Sequence, residues 1–165
     1  MKIIISESQY RILKESKNKK AILALIEEMG LHGTSEFLGI PIYELIEMGL
    51  VEHYHWSLPL YGIPIKSLGS LEEVGGDLDL RKTPIKSLGK LRKVGDNLNL
   101  HYTLIKSLGN LKSVGGHLDL SNSKIESLGD LVYVGGDLYI EDCPLSKLSD
   151  EKIRSKVEIK GKIYR

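Results

Sequence analysis

Residues 64–143 decide the fold, because they form four consecutive 20-residue units: PIKSLGSLEEVGGDLDLRKT (64–83), PIKSLGKLRKVGDNLNLHYT (84–103), LIKSLGNLKSVGGHLDLSNS (104–123) and KIESLGDLVYVGGDLYIEDC (124–143). No insertion interrupts the period. A fixed period of this length is typical of solenoids, in which each repeat buries its apolar side against the next repeat. A fifth start at Pro144 loses the pattern, and the string SLPLYGIP (57–64) matches half of an earlier unit.

Six apolar positions recur in every unit. Those equivalent to Leu78 and Leu80 alternate with polar residues, which predicts a strand with one buried face. Stacking then places these strands in parallel in a single sheet, one strand per unit. The glycine pair before each strand, such as Gly75 and Gly76, indicates a tight turn with positive φ, and Asp96 replaces the second glycine once.

The unit resembles the short class of leucine-rich repeat, whose core reads L-x-x-L-x-L-x-x-N/C/T-x-L. The match is LEEV (71–74) followed by LDLRKTPI (78–85), with two additional residues before the strand. The resemblance implies a parallel β-solenoid. It also implies that the family's asparagine position, where a side chain bonds the backbone along the stack, is filled by Thr83, Thr103, Ser123 and Cys143. It implies no particular ligand, since repeats of this kind serve unrelated functions.

Residues 1–52 have a helical pattern and predict a cap on the solenoid. We expect four helices: one begun by SESQ (6–9) and running to about Ser16, one at roughly 19–29, one capped by Thr34 and ending at Gly39, and one from Pro41 to Gly49. The solenoid follows at 53–149, and 150–165 form a closing segment. At 165 residues, this makes one compact α+β protein: a leucine-rich-repeat-like parallel β-solenoid with a helical N-terminal cap.

The stretch 34–48 looks like a helix-turn-helix with Gly39 as its turn glycine. Its expected apolar positions are Leu38, Ile40, Leu45 and Met48. The residues that would face DNA bases are Ile42, Tyr43, Ile46 and Glu47, and none of them is a side-chain type that commonly reads base edges. Glu44 and Glu47 also carry the wrong charge for phosphates. A packed cap is therefore favoured, and a DNA-contacting regulator is the alternative.

The N-terminal string KIIISESQYRILKE (2–15) resembles leaders found on many small bacteriophage proteins. This resemblance implies a phage origin. It keeps open a third interpretation, in which the protein is a structural or assembly component of a phage particle.

Composition excludes several functional classes. The 23 basic and 22 acidic residues give no global attraction to nucleic acid or acidic lipid. The single cysteine excludes a disulfide framework and fits a reducing compartment. The apolar run at 3–5 is too short for a signal peptide, and no stretch reaches membrane-spanning length. We expect a soluble, intracellular protein located in the cytoplasm.

The outward positions of the strand and of the turn that follows it form a ribbon along the solenoid. They vary from unit to unit because packing does not fix them, whereas the core positions hardly change. The ribbon is acidic along the strands and carries Tyr and His side chains of the kind that anchor interfaces. We expect it to bind a protein partner with a basic surface through Asp77, Asp79, Arg81, Asn97, Asn99, His101, Tyr102, His117, Asp119, Asp137 and Tyr139. A merely solvated sheet face is the alternative.

The sequence predicts no enzyme and no cofactor. Cys143, His101 and His117 could supply a thiol nucleophile and a base, but Cys143 falls in the structural column of Thr83. GGDL lacks the Lys-Ser/Thr of a phosphate-binding loop. Asp79, Asn99 and Asp119 could line up for Ca²⁺, yet the glycine-aspartate spacing of calcium-binding solenoids is absent. His53 and His55 lack a third ligand. No catalytic, cofactor or metal site is expected.

The C-terminal segment is expected to close the last turn. An acidic start after Ser149 predicts a helix, and 157–159 and 163–164 alternate like strands. The segment is basic and therefore opposite in sign to the ribbon, and an open solenoid end offers a sheet edge, so a head-to-tail or edge-to-edge homo-oligomer stays open. We predict a non-enzymatic protein-interaction module.

Overall fold

The computed structural model describes residues 18–165, so the predicted helix at 6–16 and the phage-like leader lie outside the described residues. Helix α1 spans Lys19–Leu38, and α2 spans Ile42–Glu47. The Asn18 side chain accepts a hydrogen bond from the Ala21 N–H and caps α1. Gly39 ends α1 in the left-handed conformation, with φ 58°.

Gly30 interrupts α1 with φ 77° and ψ 169°, which separates the predicted second helix from the third. Thr34 does not cap the third helix, contrary to the prediction. It is fully buried within the helix, and its Oγ1 donates to the Gly30 carbonyl at 2.8 Å. The prediction failed because the helix resumes directly after Gly30 and needs no cap at Thr34.

The helix-turn-helix-like stretch packs as a cap on the solenoid. Leu38, Ile40 and Leu45 are buried as expected. Ile46, which a DNA-reading helix would present to bases, is also fully buried. Glu47 Oε1 accepts the main-chain N–H of Lys66 at 2.6 Å, which joins α2 to the first repeat.

Each turn of the solenoid contributes one two-residue strand to each of two parallel sheets. The first sheet consists of β1 (His53–Tyr54), β3 (Glu73–Val74), β5 (Lys93–Val94), β7 (Ser113–Val114), β9 (Tyr133–Val134) and β11 (Glu158–Ile159). The second sheet consists of β2 (Leu58–Pro59), β4 (Leu78–Asp79), β6 (Leu98–Asn99), β8 (Leu118–Asp119), β10 (Leu138–Tyr139) and β12 (Ile163–Tyr164). The repeat sets the register, since Val74 pairs with Val94 and Leu78 with Leu98.

The prediction of a single sheet is therefore wrong. Val74 and Leu78 are both fully buried, one on each side of the bend at Gly75 and Gly76. The bend lets the two strands of a turn face one core from different sides. The glycine pair follows Val74 directly, so the first-sheet strand lacks the alternation that Leu78 and Leu80 give the second-sheet strand, and the sequence did not predict it.

The bend glycines also play a different role from the one predicted. They are not among the residues with positive φ. Instead, a Cβ at Gly95 or Gly115 would overlap the main-chain carbonyl oxygen of the equivalent glycine one turn earlier. Glycine is required because the turns stack too closely for a side chain. The first turn has His55 at this position, and the helical cap, not another turn, precedes it in the chain.

Positive φ marks the other two corners of each turn. One corner contains Gly69, Gly89, Gly109 and Gly129, with φ between 56° and 59°. The other contains Gly62, Lys82, Tyr102, Asn122 and Asp142, with φ between 50° and 68°. With the glycine bend, these corners divide a turn into three sides. Gly49, with φ 71°, aligns with Gly69, so the first turn begins directly after α2.

The recurring apolar columns form one continuous core from the cap to the closing segment. Thr83 and Thr103 are buried beside it. Each hydroxyl, however, donates at 2.7 Å to the carbonyl three residues earlier in its own turn and does not bond along the stack. Cys143 occupies the same position, with Sγ 3.3 Å from the Ile140 carbonyl oxygen. These side chains close a corner.

A 3-10 helix (Pro144–Lys147) and helix α3 (Asp150–Arg154) lead to β11 and β12, which extend the two sheets by one strand each. Ser149 caps α3, and the Arg154 guanidinium donates to the carbonyls of Ile159 at 2.5 Å and Gly161 at 2.7 Å. One turn earlier, the equivalent carbonyls accept main-chain N–H groups from the next turn. Arg154 thus supplies the donors that a further turn would supply.

Candidate partner-binding face on the second sheet

The predicted ribbon occupies the outer face of the second sheet and the corner that follows it. Four of its residues lie within the strands, next to leucines that are buried on the inner face: Asp79, Asn99, Asp119 and Tyr139. The others lie just before the strands or just after them. The structure therefore brings all eleven predicted residues onto one surface, which we call the second-sheet face.

The column before the strands is a hydrogen-bond ladder. Each side-chain acceptor receives the main-chain N–H of the equivalent residue one turn later. The acceptor and donor pairs are Ser57 Oγ and Asp77 (3.0 Å), Asp77 Oδ1 and Asn97 (2.9 Å), Asn97 Oδ1 and His117 (2.7 Å), His117 Nδ1 and Asp137 (2.9 Å), and Asp137 Oδ1 and Lys162 (2.7 Å). We expected this column to vary without structural constraint. That expectation is wrong, because every member must offer an acceptor at the same reach.

His117 joins the ladder through its imidazole ring. Its Nδ1 accepts the main-chain N–H of Asp137 at 2.9 Å and lies 3.4 Å from Asp137 Oδ2. The His117 side chain is 52% exposed, so the ring also forms part of the outer surface.

The outward side chains of the second-sheet strands hydrogen-bond the main chain of the corner that follows. Oδ1 of Asp79, Asn99 and Asp119 each accepts the main-chain N–H two residues later, at 2.9 to 3.1 Å. Arg81 also donates to Asp79 through Nε at 2.9 Å and Nη2 at 2.6 Å. Partial burial opposes ionisation of Asp79, but the hydrogen bonds and the charge of Arg81 outweigh it and lower the pKa of Asp79. These carboxylates support the fold as well as the surface.

Aromatic side chains cover the C-terminal end of the second-sheet face. Tyr139 stacks on Tyr164 with ring centroids 4.9 Å apart and planes 9° apart. Burial and the neighbouring Asp137 carboxylate raise the pKa of Tyr139, so its phenol remains a hydrogen-bond donor. Tyr164 was not among the predicted site residues. The signal was present in the sequence, since Ile163-Tyr164 matches the dipeptide Leu138-Tyr139 in the preceding turn.

The corner after the second sheet holds two bulky residues in an unfavourable backbone conformation. Lys82 and Tyr102 have φ 55° and 57°, where a residue with a side chain costs roughly 1–2 kcal/mol. Asn122 and Asp142 tolerate this region better, and Gly62 occupies it without strain. Tyr102 is nevertheless 52% exposed, so core packing does not explain why it is there.

The side chains at this corner form a cluster of aromatic and cationic groups. Arg81 and Lys82 lie over the Tyr61 ring, with their charged atoms 5.1 and 5.5 Å from its centroid. Lys82 Nζ also donates to Tyr61 Oη at 3.2 Å, and His101 packs edge-on against Tyr102 at 4.3 Å. These contacts hold exposed side chains in place before any partner binds. We call Tyr61, Arg81, Lys82, His101 and Tyr102 the corner cluster.

Negative charge on the second-sheet face is concentrated toward its C-terminal end. In the first repeats, Arg81 balances Asp79 at 2.6 Å. In the later repeats, Asp119, Asp137 and Glu141 lie on or beside the strands. The face is thus cationic and aromatic at the corner cluster and acidic farther along the solenoid.

The groups considered for catalysis lie apart in the fold, whereas Asp79, Asn99 and Asp119 stack in register on the second-sheet face. Cys143 is buried, and burial raises the pKa of its thiol, whereas His101 and His117 lie on the outer face. Within residues 18–165, no group of three or more His, Cys, Asp or Glu side chains could hold a metal ion. His53 lies near Glu73, with Nδ1 3.8 Å from the carboxylate.

Comparison with known proteins gives no assignment: no protein-family model, no curated protein and no solved structure matches the chain. The likeness to leucine-rich repeats therefore rests on the repeat itself and on the solenoid that it forms. Among the described residues, no helix has the length and apolar character needed to cross a membrane.

Proposed function

We propose that this protein is a non-enzymatic, cytoplasmic protein-interaction module of leucine-rich-repeat type that binds its partner through the second-sheet face. The corner cluster would be the main anchor of the interface. One observation carries the proposal: Lys82 and Tyr102 retain exposed side chains at positive φ, although Gly62 shows that glycine suits the same corner.

Strained backbone persists where the surrounding structure compensates for it, and it concentrates at functional sites. Tyrosine and arginine, which dominate the corner cluster, are also enriched among the residues that contribute most to interface affinity. The contacts of Arg81 and Lys82 with Tyr61 restrict these side chains beforehand, which reduces the entropy lost on binding.

Charge indicates how the partner would be oriented. A basic protein surface fits the acidic end of the second-sheet face, at Asp119, Asp137 and Glu141. An aromatic or hydrogen-bonding surface fits the corner cluster. The proposed partner therefore contacts both ends of the face, and charge complementarity at the acidic end sets its direction.

The Tyr102→Gly substitution tests the proposal without endangering the fold, because glycine relieves the strain at this corner. Affinity capture from cells of the source organism should recover a partner with the wild-type protein and about tenfold less of it with Tyr102→Gly. Asn122→Gly is the matched control, since it makes the same backbone change one turn later, and it should retain the partner. Equal recovery by Tyr102→Gly and wild type would refute the role of the corner cluster.

A further inference from the structure

The third side of each turn carries two parallel rows of exposed side chains. Pro64, Pro84 and Leu104 form one row, and Lys66, Lys86 and Lys106 form the other. The isoleucine between each pair, such as Ile85, is fully buried. Both rows therefore point outward, and they run along the stacking axis of the solenoid.

The distance between neighbouring members of a row follows from the stacking of the turns. On this side, the Glu126 N–H donates to the Lys106 carbonyl at 2.8 Å, and the Leu108 N–H donates to the Ser127 carbonyl at 3.2 Å. These bonds join the turns of Lys106 and Glu126. Between the turns of Lys66, Lys86 and Lys106, the two sheets set the spacing, because neighbouring parallel strands lie roughly 4.8 Å apart. The sheets on the other two sides keep the same register along the whole repeat region.

A carboxylate borders each end of the lysine row, Glu47 beside the Lys66 main chain and Glu126 beside Lys106. Among residues 18–165, the Lys66 and Lys86 side chains have no carboxylate within ion-pair distance. Lys106 is 3.9 Å from Glu126, and both side chains are more than half exposed. Lys82 adds a further cation at the adjacent corner, where its Nζ contacts a phenol.

The neighbouring row is apolar. Leu104 is 50% exposed, and Pro64 and Pro84 are exposed at the equivalent positions of the two preceding turns. Tyr102 borders this row at the corner. A ligand that matches both rows needs an apolar stripe next to an acidic stripe, with each stripe repeating at nearly the spacing of the turns.

We infer that the third side binds an acidic, amphipathic α-helix of a partner protein, lying along the stacking axis. A helix repeats its face every 5.4 Å, so its mismatch with the turn spacing is only about 1 Å over three lysines. An extended strand repeats its face at nearly 7 Å and would be displaced by about 4 Å over the same distance. Flexible lysine side chains can absorb the first mismatch but not the second.

At the cap end of this side, the protein places one of its own helices beside the two rows. The acidic helix α2 borders it, and Glu47, Pro64 and Lys66 line one open groove. The proposed helix would continue along the solenoid from that groove. This inference concerns a surface across the corner from the second-sheet face, so either proposal can fail while the other stands.

The probe for this site is a fluorescently labelled synthetic helix of about five turns, with glutamates on one stripe and leucines on the adjacent stripe. Its anisotropy is titrated with the full chain. Binding is expected with a Kd on the order of 10 μM, and Lys86→Glu should weaken it about tenfold. Leu104→Ser should weaken it as well. Lys90→Glu is the matched control: it makes the same charge change beyond the Gly89 corner and should leave the Kd within about twofold.

Three results would overturn the inference. The first is equal weakening by Lys86→Glu and Lys90→Glu, which would indicate attraction to net charge alone. The second is equal binding of a scrambled peptide with the same composition, because it lacks the two stripes. The third is tighter binding of a single-stranded oligonucleotide of equal charge, which would assign the lysine row to nucleic acid.

Discussion

The Gly115→Ala substitution tests how closely the solenoid turns stack. An added Cβ would overlap the Gly95 carbonyl oxygen, and rotation of a side chain cannot relieve an overlap with main chain. The two turns must separate locally. This movement breaks or weakens the hydrogen bonds from Gly115 N–H to the Val94 carbonyl and from Gly116 N–H to the Asp96 carbonyl, each 2.9 Å long.

The magnitude follows from those two bonds. Each contributes about 1 kcal/mol net, and the carbonyl of the buried Val94 costs up to about 3 kcal/mol if it is left unpaired. We therefore expect Gly115→Ala to lower the free energy of unfolding by about 3–4 kcal/mol, out of a total of roughly 5–15 kcal/mol for a native protein. For a chain of this size, the corresponding decrease in Tm is roughly 10 °C.

Urea unfolding followed by circular dichroism measures this difference, with Gly109→Ala as the matched control. Gly109 has φ 57°, and a Cβ there would meet no atom within 4 Å. Its substitution should cost only the backbone strain, about 1 kcal/mol. Equal losses in the two variants, or a smaller loss at Gly115, would show that the bend glycines serve backbone conformation and not close approach.

Substitutions at three further positions test the ladder, the C-terminal closure and the surface carboxylate. His117→Leu should lower the free energy of unfolding, measured with urea, by about 1 kcal/mol because it leaves the Asp137 N–H unpaired. His117→Asn keeps an acceptor and should lose less than half as much. Equal losses in the two variants would contradict the ladder. Arg154→Ala should lower the free energy of unfolding by about 1–2 kcal/mol. Arg154→Lys should restore only part of this loss, because an ammonium lacks the planar pair of N–H donors that reaches both carbonyls; full restoration would contradict this two-carbonyl contact. The pKa of Asp79 is lower in the folded state, so its stabilisation is present above the unfolded-state pKa and disappears as the pH falls through the folded-state value. Wild type should therefore lose more stability than Asp79→Asn between about pH 6 and pH 3, and parallel losses would refute this role.

The core of the solenoid could be predicted from the repeat, because burial acts on the same apolar columns in every unit. Ile65, Leu68 and Val74 are inward-facing in the structure, as their recurrence indicated. The closing segment could also be predicted, since the Ser149 cap and the alternating residues after it are local signals.

The geometry between turns could not be predicted in the same way. The strands of the first sheet leave no alternating pattern, because the glycine pair follows Val74 directly. A glycine required for close approach also looks the same in a sequence as a glycine required for positive φ. The overlap that makes Gly95 necessary involves a carbonyl of the preceding turn, which becomes visible only when the turns are stacked. The first turn was partly hidden because His55 and Trp56 replace the glycine pair there.

The second-sheet face could be located from the sequence, but its internal bonding could not. The side chains of Ser57, Asn97 and His117 differ in size and chemical type. Their common property is a hydrogen-bond acceptor that reaches a main-chain N–H of the next turn. The corner cluster depends on positive φ at Lys82 and Tyr102, which neither residue type favours. The backbone preferences of lysine and tyrosine therefore do not predict the positive φ on which the corner cluster depends.

Site-specific photocrosslinking tests the central claim most directly. A photoreactive phenylalanine derivative is placed at Tyr102 on the second-sheet face and, in a separate variant, at Tyr133 on the first sheet, where the side chain is also partly exposed. After irradiation in cells of the source organism, mass spectrometry identifies the covalent adducts. The proposal predicts a discrete protein adduct from position 102 and none from position 133. The same adduct from both positions, or an adduct from position 133 alone, would contradict it.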